Sequence, residues 1–234
     1  MPAMTTEQFE AEFREFSRRS AGKNRFPVRI EDRKPCLTDR TSSTGFDRHY
    51  IYHTAWAARI LAAQRPESHI DIGSSLYFAG IASAFFPITF YDYRPADLRL
   101  SGLTMAKADL LRLPFADQSV ESLSCMHVLE HVGLGRYGDP LDPDGDLIAM
   151  SELQRVISPR GSLLVVVPIG KPRVVFNAHR VYAYRQVTEA FSDLRLAQFA
   201  LIPEHGRDGG LLIDATESQV DREDYGCGCF WLRR

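Results

Sequence analysis

The feature that most constrains the fold is an unbroken apolar run, SLLVVVP, at residues 162–168. A run without polar alternation is typical of a strand that is buried on both faces of a sheet. It is too short to cross a bilayer, which takes about 20 apolar residues in a helix. A strand covered on both faces needs helices above and below it, so the sequence predicts an α/β fold.

Strand and helix patterns alternate before this run, as a parallel sheet requires. Strands are predicted at HIDI, ITFYDY, LTMAKAD and VESLSCM. A helix is predicted after the first of them, and another at residues 146–158, where Asp146 is placed to cap it. After the apolar run, a helix is predicted near residues 185–191. The strands LRLAQFALI and CGCFWLRR close the chain and predict an antiparallel end to the sheet.

The N-terminal part of the chain has a different pattern. Phe9, Phe13 and Phe16 follow helical spacing after a pair of threonines, which predicts a short amphipathic helix. A polar loop follows, and a second helix is predicted from an Asp47 cap to Gln64. The chain is therefore predicted to divide into two parts, a helical cap and loop at 1–65 and an α/β domain at 66–234.

Composition narrows the range of partners. Lysine plus arginine number 28 and aspartate plus glutamate 30, and this balance favours neither nucleic acid nor a membrane as a partner. Cys227 and Cys229 form a C-x-C pair without a second pair, which disfavours a structural zinc site. The N-terminus lacks the apolar core of a signal peptide. We therefore expect a cytoplasmic protein with reduced thiols.

Polar residues end several predicted strands, at the edge where open parallel sheets bind ligands. Asp71 and Gly73 end the first strand and allow a tight turn into a helix. Asp92 ends the second strand, where a carboxylate can accept hydrogen bonds from ribose hydroxyls. Asp109 ends the third strand and can accept from an adenine amino group, and the adjacent Leu110 can pack on the ring.

His127, Glu130 and His131 spell H-x-x-E-H, which permits two interpretations. A zinc peptidase of the inverted type needs these residues on one face of a sustained helix. Here a predicted strand runs into His127, and three glycines beginning at Gly133 stop any long helix. A loop at the carboxyl end of a central strand is the favoured interpretation.

Four segments together resemble a class I S-adenosylmethionine-dependent methyltransferase: HIDIGSS, FYDYRP, KADLLRLPFADQSVESLSCMHVLEHV and ELQRVISPRGSLLVVVP. The passage LPFADQSVESLSCMHVLEH is the most specific of them. The EHVGLGRYGDP loop resembles that of a less characterised branch. The resemblance covers residues 66–234. It implies a Rossmann-like, mostly parallel sheet of seven strands in the order 3-2-1-4-5-7-6, with an antiparallel last strand and helices on both faces.

The resemblance also implies S-adenosylmethionine as cofactor. The predicted cofactor-binding residues are Asp71, Gly73, Ser74, Ser75, Asp92, Tyr93, Asp109, Leu110 and His127. The predicted catalytic residues are His131, His127 and Glu130; either histidine can be the general base if the acceptor is a hydroxyl. These three also resemble the metal-binding E-x-x-E-H of some quinone-precursor methyltransferases, but no metal is predicted.

One motif departs from the family pattern. The family usually carries three alternating glycines that begin at the position of Gly73, and here Ser75 and Tyr77 occupy the next two. Glycine serves there because the cofactor lies close to the backbone. Ser75 is small and can hydrogen-bond a carboxylate. Tyr77 must point away from the pocket, or it fills it.

The acceptor side is less defined by sequence. His49 and His53 lie one helical turn apart, near Trp56. They suggest either a metal pair or, as we favour, a helix packed over the cleft, with Tyr50 and Trp56 lining an acceptor pocket. The basic residues between 171 and 180 are either surface charge or face an anionic acceptor.

The predicted function is methyl transfer from S-adenosylmethionine to a small-molecule or sugar-like acceptor. The alternative is a non-catalytic binding or scaffold protein, in which Ser75 and Tyr77 have closed the cofactor site. A nicotinamide oxidoreductase is disfavoured because no G-x-G-x-x-G follows the first strand.

Overall fold

The structure, a computed structural model, describes residues 3–23 and 25–234. Two compact units divide the chain, one up to Phe46 and the other from Asp47 to Arg234. In the first unit, helix α1 spans Thr6–Ser20 and begins there because Thr5 and Gln8 form a reciprocal capping box. Arg33 and Arg40 of the following loop pair with Glu10 and Glu12 of the helix, at 2.6 and 2.5 Å.

The second unit carries the sheet and the remaining helices. Its elements in chain order are α2 Arg48–Gln64, β1 His69–Ile72, α3 Leu76–Ala82, β2 Ile88–Asp92, β3 Leu103–Lys107, β4 Val120–Met126, α4 Gly145–Val156, β5 Ile157–Ile169, β6 Arg173–Val175, β7 His179–Val181, α5 Tyr184–Ala190, β8 Arg195–Ile202, β9 Leu212–Ile213, α6 Glu217–Val220 and β10 Gly226–Arg233. Among the described residues, no helix combines the length and apolar character needed to cross a membrane.

Within the described chain, the main sheet has eight strands in the order β3-β2-β1-β4-β5-β10-β8-β9. Strands β1 to β5 pair in parallel, and β10 pairs antiparallel with both β5 and β8. The predicted order is confirmed when β8 and β10 are taken as the sixth and seventh strands. The predicted number of seven is corrected, because the two-residue strand β9 adds to the edge of β8. Strands β6 and β7 form a separate hairpin.

The apolar run at 162–168 is buried on both faces, as predicted. Leu163, Val165 and Val167 pack in the core cluster that includes the buried residues of α4 and α5. Leu164 and Val166 pack in the other cluster, with the buried residues of α2 and α3. Because successive side chains of a strand point to opposite faces, the sheet lies between two helical layers.

Helix α2 belongs to the sheet unit. It begins after Asp47, whose carboxylate accepts a hydrogen bond from the Tyr50 amide at 3.0 Å, so the predicted cap is confirmed. Trp56 is 2% exposed, and its indole N–H donates to Gln198 Oε1 at 3.0 Å. This burial places Trp56 in the core, not in an acceptor pocket. The compact unit from Asp47 to Arg234 contains α2, whereas the sequence analysis grouped this helix with the N-terminal segment.

Two charged residues have structural roles that the sequence did not indicate. Asp146 lies inside α4 and does not cap it; it accepts from the Tyr182 hydroxyl at 2.8 Å and pairs with Arg180 at 3.5 Å. Arg180 is 7% exposed and donates to the carbonyl oxygens of Val132 and Pro143. Arg180 therefore fixes the loop before α4 and is not a surface charge.

Candidate functional site

The turn after β1 requires glycine. Gly73 has φ +65°, and its amide donates to Tyr91 O of the neighbouring strand at 2.8 Å. A Cβ atom at Gly73 would lie 3.1 Å from a Val128 methyl and 3.8 Å from Asp92 Oδ2. The left-handed conformation and the close approach of Val128 both exclude a side chain, so the Gly73 backbone is bare beside the end of β2.

Asp71 sits beneath this turn and is fully buried. Its Oδ1 accepts from the Ser74 amide at 3.1 Å, and its Oδ2 accepts from the Ser124 hydroxyl at 2.5 Å. His69 bridges the hydroxyls of Ser124 and Ser122, at 2.8 Å each. Burial raises the pKa of Asp71 to about 7 and lowers that of His69 to about 3. The network couples β1 to β4 beneath the turn.

Ser74 and Ser75 have different environments. Ser74 is buried, and its hydroxyl accepts from the Met126 amide at 3.0 Å, which ties the turn to the end of β4. Ser75 is half-buried at the N-terminal end of α3. Tyr77, the second residue of α3, is 87% exposed. The side chain of Tyr77 therefore points to solvent and does not fill the turn.

The ends of β2 and β3 bring the remaining predicted residues to the same edge. Asp92 is half-buried, and its Oδ1 accepts from the Arg94 amide at 2.7 Å. Tyr93 is 46% exposed, with the Lys107 ammonium 5.5 Å from its ring. Asp109 is exposed and accepts from the Leu111 amide at 2.9 Å.

His127 directly follows β4, and Glu130 lies in a single 3₁₀ turn, Leu129–His131. His127 has φ +58°, outside any helix. Its Nδ1–H donates to Glu130 Oε1 at 2.8 Å, and the two side chains are 7% and 2% exposed. Glu130 Oε2 is buried and finds no hydrogen-bond partner in the described chain. The sustained helix of a zinc peptidase is not formed by these residues, which confirms the loop interpretation.

His131 is oriented by the hairpin loop. Its Nδ1–H donates to Ala178 O at 2.6 Å, which leaves the lone pair on Nε2. Its Nε2 lies 3.8 Å from Glu130 Oε1, and its side chain is 16% exposed. Burial lowers the pKa of His131 despite the opposing effect of the Glu130 carboxylate. The ring is therefore neutral near pH 7, the state that accepts a proton.

Side chains from distant segments gather around His127, and Tyr225 stacks on one of them, His49, at 5.2 Å. We call the set the acceptor-side cluster: His49, Tyr50, His53, His127, Tyr225 and Cys227. The rings of His49 and Tyr50 stack on His127 at 5.7 and 5.4 Å, and His53 meets it edge-on at 5.0 Å. The Cys227 thiol lies 3.5 Å from His127 Nε2. The spacing of His49 and His53 drew attention to this helix, but nothing in the sequence pointed to Tyr225 or Cys227.

The histidines of α2 are neutral. Burial, and then the neighbouring His127, lower the pKa of His49 to about 4. Burial and His127 lower the pKa of His53 to about 3. His53 Nδ1–H donates to His49 O at 2.7 Å, while its buried Nε2 has no hydrogen-bond partner among residues 3–23 and 25–234. The cluster thus combines aromatic surface with unprotonated nitrogen atoms.

Comparison with known proteins supports the fold. A family profile described as "Caenorhabditis protein of unknown function, DUF268" matches residues 114–201. No curated protein sequence matches the chain. The structure superposes on the N-methyltransferase NodS of Bradyrhizobium japonicum WM9, solved with S-adenosyl-L-homocysteine. The TM-score is 0.56 at 15% identity, over 79% of this chain and 86% of that one. This chain has the class I methyltransferase fold.

Two further structures share this methyltransferase fold. One is the geranyl diphosphate C-methyltransferase of Streptomyces coelicolor A3(2), with TM-score 0.53 and 12% identity over 77% of this chain and 76% of that one. The other is the 1,6-didemethyltoxoflavin-N1-methyltransferase of Burkholderia thailandensis. Its TM-score is 0.52 at 12% identity, over 100% of this chain and 92% of that one. At such identities the likeness establishes the architecture, and the chemistry depends on the site residues of this chain.

Proposed function

We propose that this chain transfers a methyl group from S-adenosylmethionine to a small-molecule or sugar-like acceptor in the cytoplasm. The observation that carries the proposal is the turn at Gly73, whose backbone bears no side chain and lies beside the Asp92 carboxylate. A bare backbone next to a strand-end carboxylate suits a ligand with an amino-acid end and a ribose. The relatives solved with S-adenosylhomocysteine support this choice of cofactor.

Five residues at or after the ends of β1, β2 and β3 would hold the cofactor. Gly73 and Ser75 would receive its carboxylate end, and Asp92 would accept from the ribose hydroxyls. Asp109 and Leu110 would receive the adenine. Asp71 has no exposed surface, and both its oxygens already accept hydrogen bonds, so it would position Ser74 without touching the ligand. Tyr77 leaves the turn open because it points to solvent.

S-adenosylmethionine supplies a sulfonium-activated methyl group when bound, so the protein needs no covalent nucleophile. The chain contributes alignment and a cleft that excludes water. His131 is the proposed general base, because its Nδ1–H is fixed on Ala178 O and its Nε2 lone pair is unprotonated near neutral pH. Glu130 Oε1, 3.8 Å away, would stabilise the imidazolium that forms when His131 takes the acceptor proton.

The acceptor-side cluster supports a small and uncharged acceptor. Its rings pack around His127 with centroid distances of 5.0 to 5.7 Å, and burial keeps His49 and His53 neutral. Arg180, one of the basic residues between 171 and 180, donates to the carbonyl oxygens of Val132 and Pro143 and so holds the loop before α4. A location in the cytoplasm agrees with the four free cysteines, all of them within the described residues.

The test is calorimetry with S-adenosylhomocysteine on the parent chain and two variants. Asp92→Ala should weaken binding at least about tenfold, because hydrogen bonds to a charged group contribute roughly 1.5–3 kcal/mol each. Asp97→Ala is the matched control, since Asp97 lies on the same β2–β3 connection with its side chain 85% exposed. Its affinity should equal that of the parent. Equal affinities for all three proteins would remove Asp92 from the site.

The same measurement decides between enzyme and scaffold. A binding or scaffold protein that has lost the cofactor site would give no heat of binding with the parent chain. The exposed position of Tyr77 argues against that alternative, since the alternative requires Tyr77 to close the turn and its side chain is 87% exposed.

A further inference from the structure

Three side chains with metal-binding atoms converge in the acceptor-side cluster. His49 of α2, His127 at the end of β4 and Cys227 of β10 each offer one such atom, and all three atoms lie within 4.8 Å of one another. They come from three separate elements, so no local turn or helix spacing accounts for their meeting. Two imidazoles and a thiol form a nitrogen and sulfur donor set, which zinc prefers over magnesium or calcium.

The distances are close to those of a loaded site. In tetrahedral zinc sites, bond lengths of about 2.0–2.1 Å to nitrogen and about 2.3 Å to sulfur place the ligand atoms roughly 3.5 Å apart. His127 Nε2 and Cys227 Sγ already lie 3.5 Å apart. The largest separation of 4.8 Å requires an inward movement of about 1 Å, and half-buried His49 is the ligand with most room to make it.

Glu130 holds His127 in the tautomer that a metal needs. It accepts the Nδ1–H of His127 at 2.8 Å, so the lone pair of that ring stays on Nε2, toward Cys227. A carboxylate behind a ligating histidine is the usual outer partner of zinc. The other oxygen of Glu130 is buried and has no hydrogen-bond partner within the described chain, so His127 is the group that this carboxylate orients.

A second observation also points to a missing group. His53 packs edge-on against His127 at 5.0 Å and is 0% exposed. Its Nε2 carries a lone pair with no hydrogen-bond donor among the described residues. A buried acceptor of this kind costs free energy unless a cation or its bound water is nearby.

We infer that His49, His127 and Cys227 form a zinc site with a fourth position for water or an acceptor atom. On binding, Zn²⁺ replaces the thiol proton of Cys227, which passes to the buffer, and the sulfur and two nitrogen lone pairs form the bonds. The site takes one residue from each of the two pairs that the sequence offers, His49 with His53 and Cys227 with Cys229. It does not use His131, the proposed general base, which is not one of the three side chains whose ligand atoms converge.

The experiment measures metal binding alone, on tag-free protein dialysed against a chelator. Zn²⁺ titration by calorimetry should give one site per chain. Co²⁺ in its place should give a thiolate-to-metal charge-transfer band. Cys227→Ala should abolish that band. Zn²⁺ affinity should fall by at least about 100-fold in each of three ligand variants, Cys227→Ala, His49→Gln and His127→Asn. Glu130→Gln changes only the outer partner of His127, and its affinity should fall by about 10–100-fold.

The matched control is Cys229→Ala. Cys229 is buried on the same face of β10, two positions from Cys227, so the two variants make equal cavities. Cys229→Ala should keep the cobalt band and a zinc affinity within about threefold of the parent. Asparagine is chosen at position 127 because it tolerates the positive φ there. Far-ultraviolet circular dichroism of each variant checks that it folds.

Three results would overturn the site. The parent binds no stoichiometric zinc in the titration, or a folded Cys227→Ala keeps the zinc affinity of the parent, or Cys227→Ala and Cys229→Ala lose zinc affinity equally. None of these measurements involves S-adenosylhomocysteine. A chain that binds S-adenosylhomocysteine but not zinc contradicts only the metal site, and the reverse contradicts only the proposed methyl transfer.

Discussion

The turn after β1 and the acceptor-side cluster lie at the same edge of the sheet but are built in opposite ways. The turn is local, since Asp71, Gly73 and Ser74 follow one another and their hydrogen bonds reach only the adjacent strands. The cluster joins His49, His127 and Cys227, which are far apart in the chain. A site built from consecutive residues leaves a pattern in the sequence, whereas one assembled by the fold does not.

The two regions also differ in how burial acts on charge. Beneath the turn, burial raises the pKa of the Asp71 carboxyl, so its neutral form is favoured. In the cluster, burial lowers the pKa values of His49 and His53, which again favours the neutral forms. Both effects follow from the cost of a charge in a low-dielectric interior. The carboxylate of Asp109, in contrast, is exposed to solvent.

The largest expected effect separates catalysis from cofactor binding. His131→Gln should reduce methyl transfer by roughly 10²–10⁴-fold, because glutamine keeps a polar side chain but cannot take a proton. Its affinity for S-adenosylhomocysteine should stay within about threefold of the parent. Transfer is measured as S-adenosylhomocysteine formed with a small-molecule cell extract as acceptor. His205→Gln, on an exposed loop, is the control. Unchanged turnover in His131→Gln would remove it as base.

The next effect tests whether the turn needs glycine only for its backbone conformation or also because a side chain there would crowd Val128 and Asp92. Gly73→Ala and Gly138→Ala both place a side chain at positive φ, +65° and +84°, and each should cost roughly 1–2 kcal/mol of unfolding free energy. A Cβ at Gly138 meets no described atom within 4 Å, whereas one at Gly73 lies 3.1 Å from Val128.

Only Gly73→Ala should therefore lose S-adenosylhomocysteine affinity, by about tenfold or more. Urea unfolding and calorimetry on both variants supply the measurements. Similar losses of affinity in the two variants would mean that general destabilisation, and not the open backbone, explains the effect.

A smaller effect concerns the proton on Asp71. The unfolded chain loses this proton near the ordinary carboxyl pKa of 3.8, and the folded chain holds it to about pH 7. The raised pKa therefore contributes stability that is fully present below pH 3.8 and is lost as the pH rises through 7. Asp71→Asn carries no such proton.

The stability of the parent relative to Asp71→Asn should accordingly fall between pH 4.5 and pH 8, by at least about 1 kcal/mol. The opposite contribution of His69, whose folded pKa is lowered, is present in both proteins and cancels in the comparison. Urea midpoints at the two pH values measure it, with Asp97→Asn as the exposed control. A difference that does not change with pH would contradict the raised pKa.

The sequence predicted most of the fold because the fold is expressed in local patterns. The alternation of strands and helices, the Asp47 cap and the buried run at 162–168 all depend on neighbouring residues. Strand β9 escaped prediction because two residues carry no period. Asp146 was misassigned because the sequence shows only that an aspartate stands at the start of a helix. It does not show whether the side chain caps the helix or is buried against Tyr182.

For the candidate site, the sequence predicted which residues lie at the strand ends but not where their side chains point. Strand ends located Gly73, Asp92 and His127, since the carboxyl ends of parallel strands share one edge. The direction of a side chain could not be read from its position. The sequence left open whether Tyr77 blocks the turn, and it gave no reason to place Cys227 beside His127.

The smallest expected effect tests the direction in which the Tyr77 side chain points. Tyr77 stands where the family has its third glycine, but its side chain is 87% exposed on the first turn of α3. Tyr77→Ala should therefore leave S-adenosylhomocysteine affinity within about threefold of the parent. The contrasting variant is Ser75→Phe, because Ser75 is half-buried at the start of the same helix, where a large ring would occupy the proposed cofactor carboxylate position. Ser75→Phe should lose binding while its thermal unfolding midpoint stays close to that of the parent. If Tyr77→Ala instead tightens binding tenfold, the tyrosine folds back over the turn in solution, and the open backbone at Gly73 is only part of the pocket.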